Sequence, residues 1–184
     1  TMFEGWVLAH QEREEAGLAQ LSHGLNLFRT TGSGAFLSPC QALLTEAYAQ
    51  QGQTKEGLNA LAEVLELVGK TGERFYEAEL YRVQGELLLQ ANDQRPEFVN
   101  QEAEECFHKA LDIARQQQAK SWELRAATSL ARLWHGQGRQ TEARDLLAPV
   151  YNLFTEGFDT ADLKDAKALL NELKLPDYEA CRRS

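Results

Sequence analysis

Short side chains recur at fixed intervals along this 184-residue chain, and no other feature of it restricts the fold so tightly. Gly17, Gly57, Ala103 and Ala143 are each followed four residues later by a large apolar residue: Leu21, Leu61, Phe107 and Leu147. Four residues apart on a helix is the same face. The small residues are 40, 46 and 40 positions apart. A second series, Gly5, Thr45, Gly85 and Ala131, carries Leu8, Tyr48, Leu88 and Trp134 three residues on, at intervals of 40, 40 and 46. Each series has one interval six residues too long, at a different step. The only arrangement that satisfies both is a single insertion between Gly85 and Ala103, where the turn-prone Asn92-Asp93-Gln94-Arg95-Pro96 lies. A unit of about 40 residues repeated in this way cannot bury its apolar face alone and must stack on its neighbours.

The units read as helix pairs. Ala, Leu, Glu and Gln dominate, and apolar residues recur at three and four positions rather than two. Helices are expected at about 2–11, 14–30, 36–51, 54–70, 74–91, 97–118, 121–136, 141–156 and 160–174. Gly52, Gly72 and Gly138 mark helix ends through the left-handed conformation, and Ser121 and Thr160 (or Asp159) offer oxygens to orphan N–H groups at helix starts. Pro149 is expected to kink its helix, which still carries through Tyr151 on the apolar face of Leu146, Leu147, Val150, Tyr151 and Phe154. Gly85 facing Ala103 would let two axes approach closely while Leu88 and Phe107 fill the adjoining holes. The segment from Asp159 to Leu173 has one apolar face and a charged back, as suits a terminal helix that caps a stack.

The fold class is therefore all-α: a right-handed superhelix of antiparallel helix pairs with a period of about 40 and a C-terminal capping helix. The expected organisation is one helical-repeat domain over 1–174, made of a partial or first pair at 1–31, pairs at 35–71, 74–119 and 121–157 and the cap at 159–174. Residues 175–184 form a tail.

Charge excludes whole classes of partner. Asp plus Glu number 28 against 19 Lys plus Arg, a net charge of -9. Nucleic-acid affinity comes mainly from clustered cations that release counterions, and anionic membranes attract the same groups; neither partner is expected. The longest stretch free of acidic and basic residues, Thr30 to Thr45, is 16 residues and holds Gly, Ser and Pro, too short and polar to cross a bilayer. No basic-then-apolar leader opens the chain. Cys40, Cys106 and Cys181 are odd in number and far apart, as in a reducing, cytoplasmic setting without a disulfide frame.

No catalytic, cofactor or metal site is expected. Cys106 and His108 are two apart and point away from each other on a helix. Glu105-Cys106-Phe107-His108 has the Glu-x-x-His spacing of carboxylate-bridged di-iron centres, but that site needs a second such motif, and no other His has Glu three residues earlier. Cys40 and Cys106 read as small core residues, and Glu77 and Glu79 as solvated or ion-paired. Trp134 reads as core and Trp122 as packed beside the preceding helix.

Longer stretches carry a family resemblance. Paired helices with a small–large signature resemble the tetratricopeptide repeat, whose usual period is 34 residues. ERFYEAELYRVQGELLL (73–89), AEECFHKALDIARQQQAKSWELRAATSLARLW (103–134) and LLAPVYNLFTEGFDTADLKDAKALLNEL (146–173) are similar to the C-terminal repeat region of large bacterial predicted ATPases. In those proteins an adenylate or guanylate cyclase-like domain often precedes a signal-transduction ATPase module. No G-x-x-x-x-G-K-[ST] sequence occurs here, so the resemblance implies a regulatory or partner-binding part rather than the ATPase. Thr1-Met2 opening directly into a repeat is expected of an excised fragment.

The resemblance also implies a binding face, since the first helix of each tetratricopeptide pair lines the concave surface. Counting from the small residues, that face comprises Trp6, Ala9 and His10; Ala42, Glu46, Ala49 and Gln50; Glu79, Arg82, Glu86, Leu89 and Gln90; and Arg125, Thr128, Arg132 and His135. It is acidic toward the middle and basic toward the third full pair, a mixture that suits an extended peptide or a protein domain. Alternatively, Arg82, Arg125 and Arg132 simply neutralise neighbouring carboxylates. The Lys/Asn arrangement with which chaperone cofactors grip a terminal carboxylate is absent from these positions.

The function expected from this reading is a non-catalytic interaction or regulatory scaffold that binds a peptide, a protein domain or the ATPase module of its own parent chain. Two alternatives stand beside it. One is self-association through an unfinished first pair around Phe3, Val7 and Leu8. The other is small-molecule sensing in a pocket between helix pairs.

Overall fold

The structure, a computed structural model, describes residues 14–30, 37–91 and 96–174. Its helices are α1 (Glu14–Thr30), α2 (Leu37–Gln50), α3 (Thr54–Thr71), α4 (Glu77–Gln90), α5 (Pro96–Gln116), α6 (Lys120–Gly136), α7 (Gln140–Tyr151) and α8 (Ala161–Glu172). Among the described residues there is no strand. The helix expected at 2–11, with Gly5 and Leu8, lies outside the described residues, as do 92–95 and the tail. The chain divides into two compact units, Thr1–Cys106 and Phe107–Ser184.

In the first unit α2 is the hub and packs on α1, α3 and α4. Leu18, Leu21 and Leu25 of α1 close on Cys40, Leu44 and Ala47. Leu61, Val64 and Val68 of α3 close on Ala42 and on Leu80 of α4, and Ala49 meets Val83 and Leu87 of α4. Small residues around α2 let three neighbours reach it. Thr45 is fully buried and discharges its hydroxyl by donating to the Gln41 carbonyl at 2.9 Å.

The tightest approach is at Gly57. A Cβ there would lie 2.8 and 3.1 Å from the Leu87 methyls and 3.3 Å from Tyr48 Cβ. Leu87 is itself fully buried, so its methyls could move only by displacing other packed atoms. Gly57 thus sets how closely α3 can sit against α2 and α4. The rest of the small–large pattern is buried as its periodicity predicts: Gly17 with Leu21, Leu61, Ala103, Phe107, and Ala143 with Leu147 are interior. So are Thr45, Gly85, Ala131 and Trp134, while Tyr48 and Leu88 are half-buried.

In the second unit α6 packs on α7 and α8, and α7 on α8. Leu124, Ala127, Leu130 and Ala131 of α6 are interior, as are Leu147 and Val150 of α7. Leu163, Ala166, Leu169 and Leu173 turn inward from the α8 segment while Asp162, Lys164, Asp165, Lys167 and Glu172 stay exposed. That is the one-sided pattern expected of a terminal helix. Trp134 has the His108 ring 5.9 Å away and the Arg139 guanidinium carbon 4.4 Å from its centroid. Arg139 also donates to both Glu142 oxygens, at 3.0 and 2.6 Å.

Three helices end in one motif. Gly52, Gln118 and Gly138 take φ of 66, 54 and 79°, and each donates its N–H three residues back, to Ala49, Arg115 and His135. The next residue donates five back: Gln53 to Tyr48, Ala119 to Ala114 and Arg139 to Trp134. This pairing is the Schellman motif, which consumes carbonyls the helix leaves open. Gly72, φ 74°, ends α3 by donating to Val68. The glycine stops are therefore as expected, and Gln118 does the same work at a strained φ that the sequence did not signal.

The helix starts differ from expectation. α6 begins at Lys120 with Ala119 in the cap position, and neither Ala119 nor Thr160 makes a side-chain cap bond. The Ala119 backbone is already fixed by the preceding Schellman turn, which moves the start ahead of Ser121. The Thr160 hydroxyl donates to the Gly157 carbonyl at 2.8 Å instead. α7 runs through Tyr151, as expected, but stops there rather than near 156. Pro149 supplies no N–H to the ladder, and after it Leu153 and Phe154 donate only three residues back, a tightening that ends the helix.

Two pairs of variants test this packing. Gly69 lies in the same helix as Gly57 with nothing within 4 Å of its Cβ position, so Gly69→Ala should stabilise the chain by about 1 kcal/mol. At Gly57 the same helical gain is set against overpacking of about 1–3 kcal/mol, so Gly57→Ala should be neutral or worse and Gly57→Val clearly destabilising in urea unfolding. Gln118→Gly should raise stability by roughly 0.5–1 kcal/mol by removing the left-handed strain, and Gly138→Ala should lower it by a similar amount.

Candidate functional site

The expected binding face falls on the first helices of the pairs. In the first unit, Glu46 and Gln50 sit on α2, and Glu79, Arg82, Glu86, Leu89 and Gln90 on α4. Residues three and four apart on a helix are neighbours, which places Glu79 and Glu86 on either side of Arg82. Arg82 Nε donates to Glu79 Oε2 at 2.9 Å and Nη2 to Glu79 Oε1 at 2.7 Å, a two-pronged pairing that suits the planar guanidinium. Its Nη1 donates to Glu86, and Glu46 reaches across from α2 to within 4.0 Å of Nη2.

These charges are not on an open surface. The Arg82 and Glu79 side chains are only 7% and 5% exposed, and those of Glu46 and Glu86 16% and 34%. Burial by itself would depress the Arg82 guanidinium. The charge and hydrogen bonds of Glu79, with the charges of Glu86 and Glu46, overcome that and hold it above the ordinary arginine range. Arg82 is thus a permanent cation locked between α2 and α4, and three carboxylates around one guanidinium leave these four side chains with a net charge of −2. Gln50, Leu89 and Gln90 are the exposed members at the edge of this seam, while Ala42 and Ala49 are interior.

In the second unit the candidates lie along α6. Arg125 Nε is 3.8 Å from Asp162 Oδ1, and Arg132 pairs with Asp165, both partners coming from α8. Arg125 also lies 5.7 Å from the Trp122 ring centre. Thr128 is buried and donates to the Leu124 carbonyl at 2.8 Å. His135, half-buried, has Nδ1 enclosed without a hydrogen-bond partner. Trp6, Ala9 and His10 lie outside the described residues.

Each of the three candidate arginines therefore has a carboxylate. For Arg82 the i,i+3 and i,i+4 spacing of Glu79 and Glu86 already pointed there. The partners of Arg125 and Arg132 were not legible as such, because Asp162 and Asp165 lie more than 30 residues on and read only as the charged back of a cap.

Among the described residues no three His, Cys, Asp or Glu side chains are grouped to hold a metal ion. Glu105 is exposed and His108 engages the Trp134 ring. Cys40 is a buried free cysteine whose thiol burial pushes above its usual range, which lowers its thiolate fraction.

No family model matches the sequence, and neither does any curated protein. Among solved structures, a Podosopora anserina protein assigned as a kinesin light chain, with nearly identical TPR-like repeats, is similar over 99% of this chain and 85% of its own. The TM-score is 0.66 and the identity 20%. The fold is tetratricopeptide-like. Its first helices, α2 and α4, are in direct contact in the first unit, and the Glu46–Arg82 bridge crosses that contact. No helix among the described residues is long and apolar enough to cross a membrane.

Removing one partner of a buried ion pair costs about 3–5 kcal/mol, whereas replacing both with apolar residues is often neutral. Arg82→Met should therefore be strongly destabilising, and Glu79→Leu/Arg82→Met should recover part of the loss, since the more exposed Glu46 and Glu86 still lose their cation. Chemical denaturation of Glu79→Leu, Arg82→Met and the double variant reads this coupling directly.

Proposed function

We propose that this chain is a non-catalytic protein-interaction scaffold whose α2–α4 face receives an extended, basic peptide segment. The charged seam at Arg82 carries the reading: three carboxylates and one guanidinium converge on the α2–α4 contact, and Glu86, 34% exposed, presents a carboxylate that a basic segment would complement. Exposed Gln50 and Gln90 beside it offer amide donors and acceptors to a peptide backbone. The tetratricopeptide-like fold supports the same reading. The remaining groove candidates, Arg125, Thr128, Arg132 and His135, lie on α6 of the second unit and form a separate candidate patch; Trp6 and His10 lie outside the described residues. Part of the Arg125 and Arg132 charge is already met by α8.

The wider context in this proposal is the one the sequence resembles: the C-terminal repeat part of a bacterial, cytoplasmic signalling ATPase or cyclase-like protein. There the face would engage a separate protein or the parent's own ATPase module and hold it inactive. Deleting the repeat from such a parent should then raise its ATP turnover. Self-association through Phe3, Val7 and Leu8 concerns residues outside those described.

Arg82 is too deeply paired to serve as a probe, since Arg82→Glu would set four carboxylates together. Glu86 and Gln50 are better placed. Peptides selected against the chain from a random library should be rich in Lys and Arg and should lose affinity with added salt. Their affinity should fall about tenfold on Glu86→Gln or Gln50→Ala, an interaction worth about 1.4 kcal/mol, and should be unchanged by Glu66→Gln on α3. Selected peptides of no charge preference, or binding sensitive to Glu66 rather than Glu86, would refute the assignment.

A further inference from the structure

A cleft of about 200 Å³ opens in the second unit between the start of α6, the 152–160 connection and the start of α8. Leu124 and Leu163, both buried, and half-buried Phe154 give it an apolar interior, while Ser121, Glu156 and Thr160 line it from exposed positions. The volume is about seven times a water molecule's share of the liquid. It falls below the roughly 300–1,000 Å³ of sites that enclose a drug-sized molecule. It matches one bulky side chain, the kind of anchor that a partner inserts into a pocket at an interface.

The connection extends the apolar surface beyond the cleft. Leu153 and Phe158, 47% and 49% exposed, both belong to it, and exposed apolar groups that adjoin a cleft mark interaction sites where single ones do not. The connection is also fixed in place. Thr160 donates to the Gly157 carbonyl from its N–H at 2.9 Å and from its hydroxyl at 2.8 Å. Gly157 takes φ of 75°, and the Phe158 ring lies 6.0 Å from that of Tyr151. A preformed cleft spares a partner the cost of ordering it. Charge then selects what flanks the anchor. Glu156 is exposed on the connection, and exposed Asp159 stands between the lining residues Gly157 and Thr160. Toward α6, Asp162 already faces Arg125 at 3.8 Å. A cation beside the anchor would therefore be met by Glu156 and Asp159, whereas an acidic flank would meet like charge.

We propose that this cleft receives one bulky apolar side chain of a partner polypeptide that carries Lys or Arg beside it. The apolar group rests on Leu124, Phe154 and Leu163, and the cation lies against Glu156 and Asp159. The site shares no residue with the α2–α4 face and does not rest on the reading of that face.

The test is a nuclear magnetic resonance titration of the full chain with three end-blocked peptides: Gly-Lys-Phe-Lys-Gly, Gly-Lys-Ala-Lys-Gly and Gly-Glu-Phe-Glu-Gly. The first should shift the Gly157 and Thr160 amide signals saturably. The alanine peptide, which lacks the anchor, and the glutamate peptide, which has the wrong flank, should each bind at least tenfold more weakly. Glu156→Lys/Asp159→Lys changes only exposed positions and should reverse the preference between the two phenylalanine peptides. Ser121→Phe, also at an exposed position, sets a ring in the cleft wall and should weaken the first peptide at least tenfold, so the outcome does not hang on one variant folding. No saturable shift with the first peptide would overturn the proposal. Equal binding by the alanine or the glutamate peptide, or binding unaltered in both variants, would overturn it as well. Gly157 and Thr160 signals that move when the peptide-free chain is diluted would assign the cleft to a second copy instead. Cross-peaks from the Tyr178 ring to the Leu163 methyls would assign it to the chain's own tail, and either result would overturn the proposal.

Discussion

The arrangement of the first unit depends on how closely α3 can approach α2 and α4, and Gly57 sets that distance. The absent side chain is the space that the Leu87 methyls and Tyr48 occupy. Close contact there brings Leu61, Val64 and Val68 onto Ala42 and Leu80, and dispersion between packed atoms is lost steeply with even small gaps. A helix pair has too little apolar surface to stand alone, so each gains its stability by stacking on the next. The periodic placement of small residues is thus the stacking code and not a bias of composition.

The same proximity explains why an ionic group can sit inside the first unit. With α2 and α4 in contact, Glu46 is brought to a guanidinium on the neighbouring helix. Such a pair contributes less to net stability than to register, because apolar residues could fill the site but would not specify which carboxylate faces which cation. In this chain the register device and the candidate binding face coincide. A peptide arriving at the seam would meet charges already oriented by the fold, which reduces the ordering cost of binding.

Much of this was legible in the amino-acid order. The small–large spacing located the interior positions from Gly17 to Leu147, and the glycines at 52, 72 and 138 located helix ends, because both rest on side-chain size and backbone freedom. Gln118 escaped notice, since a glutamine carries no left-handed preference and takes that conformation only because the motif around it demands it. The hydroxyl caps at Ser121 and Thr160 were misjudged for a related reason: turn geometry had already fixed the preceding backbone. At the candidate site, spacing alone joined Arg82 to Glu79 and Glu86, but their burial was hidden, as charged residues read by default as solvated.

The most direct test of the account is the set of nuclear Overhauser contacts made by the Gly57 α protons in the full chain. Strong cross-peaks to both Leu87 methyls and to the Tyr48 β protons are predicted, since these groups border the space a side chain at Gly57 would fill. Gly57 α protons with no cross-peak to Leu87 would show that the helices do not meet there, and the stacking on which the proposed α2–α4 face is built would be contradicted.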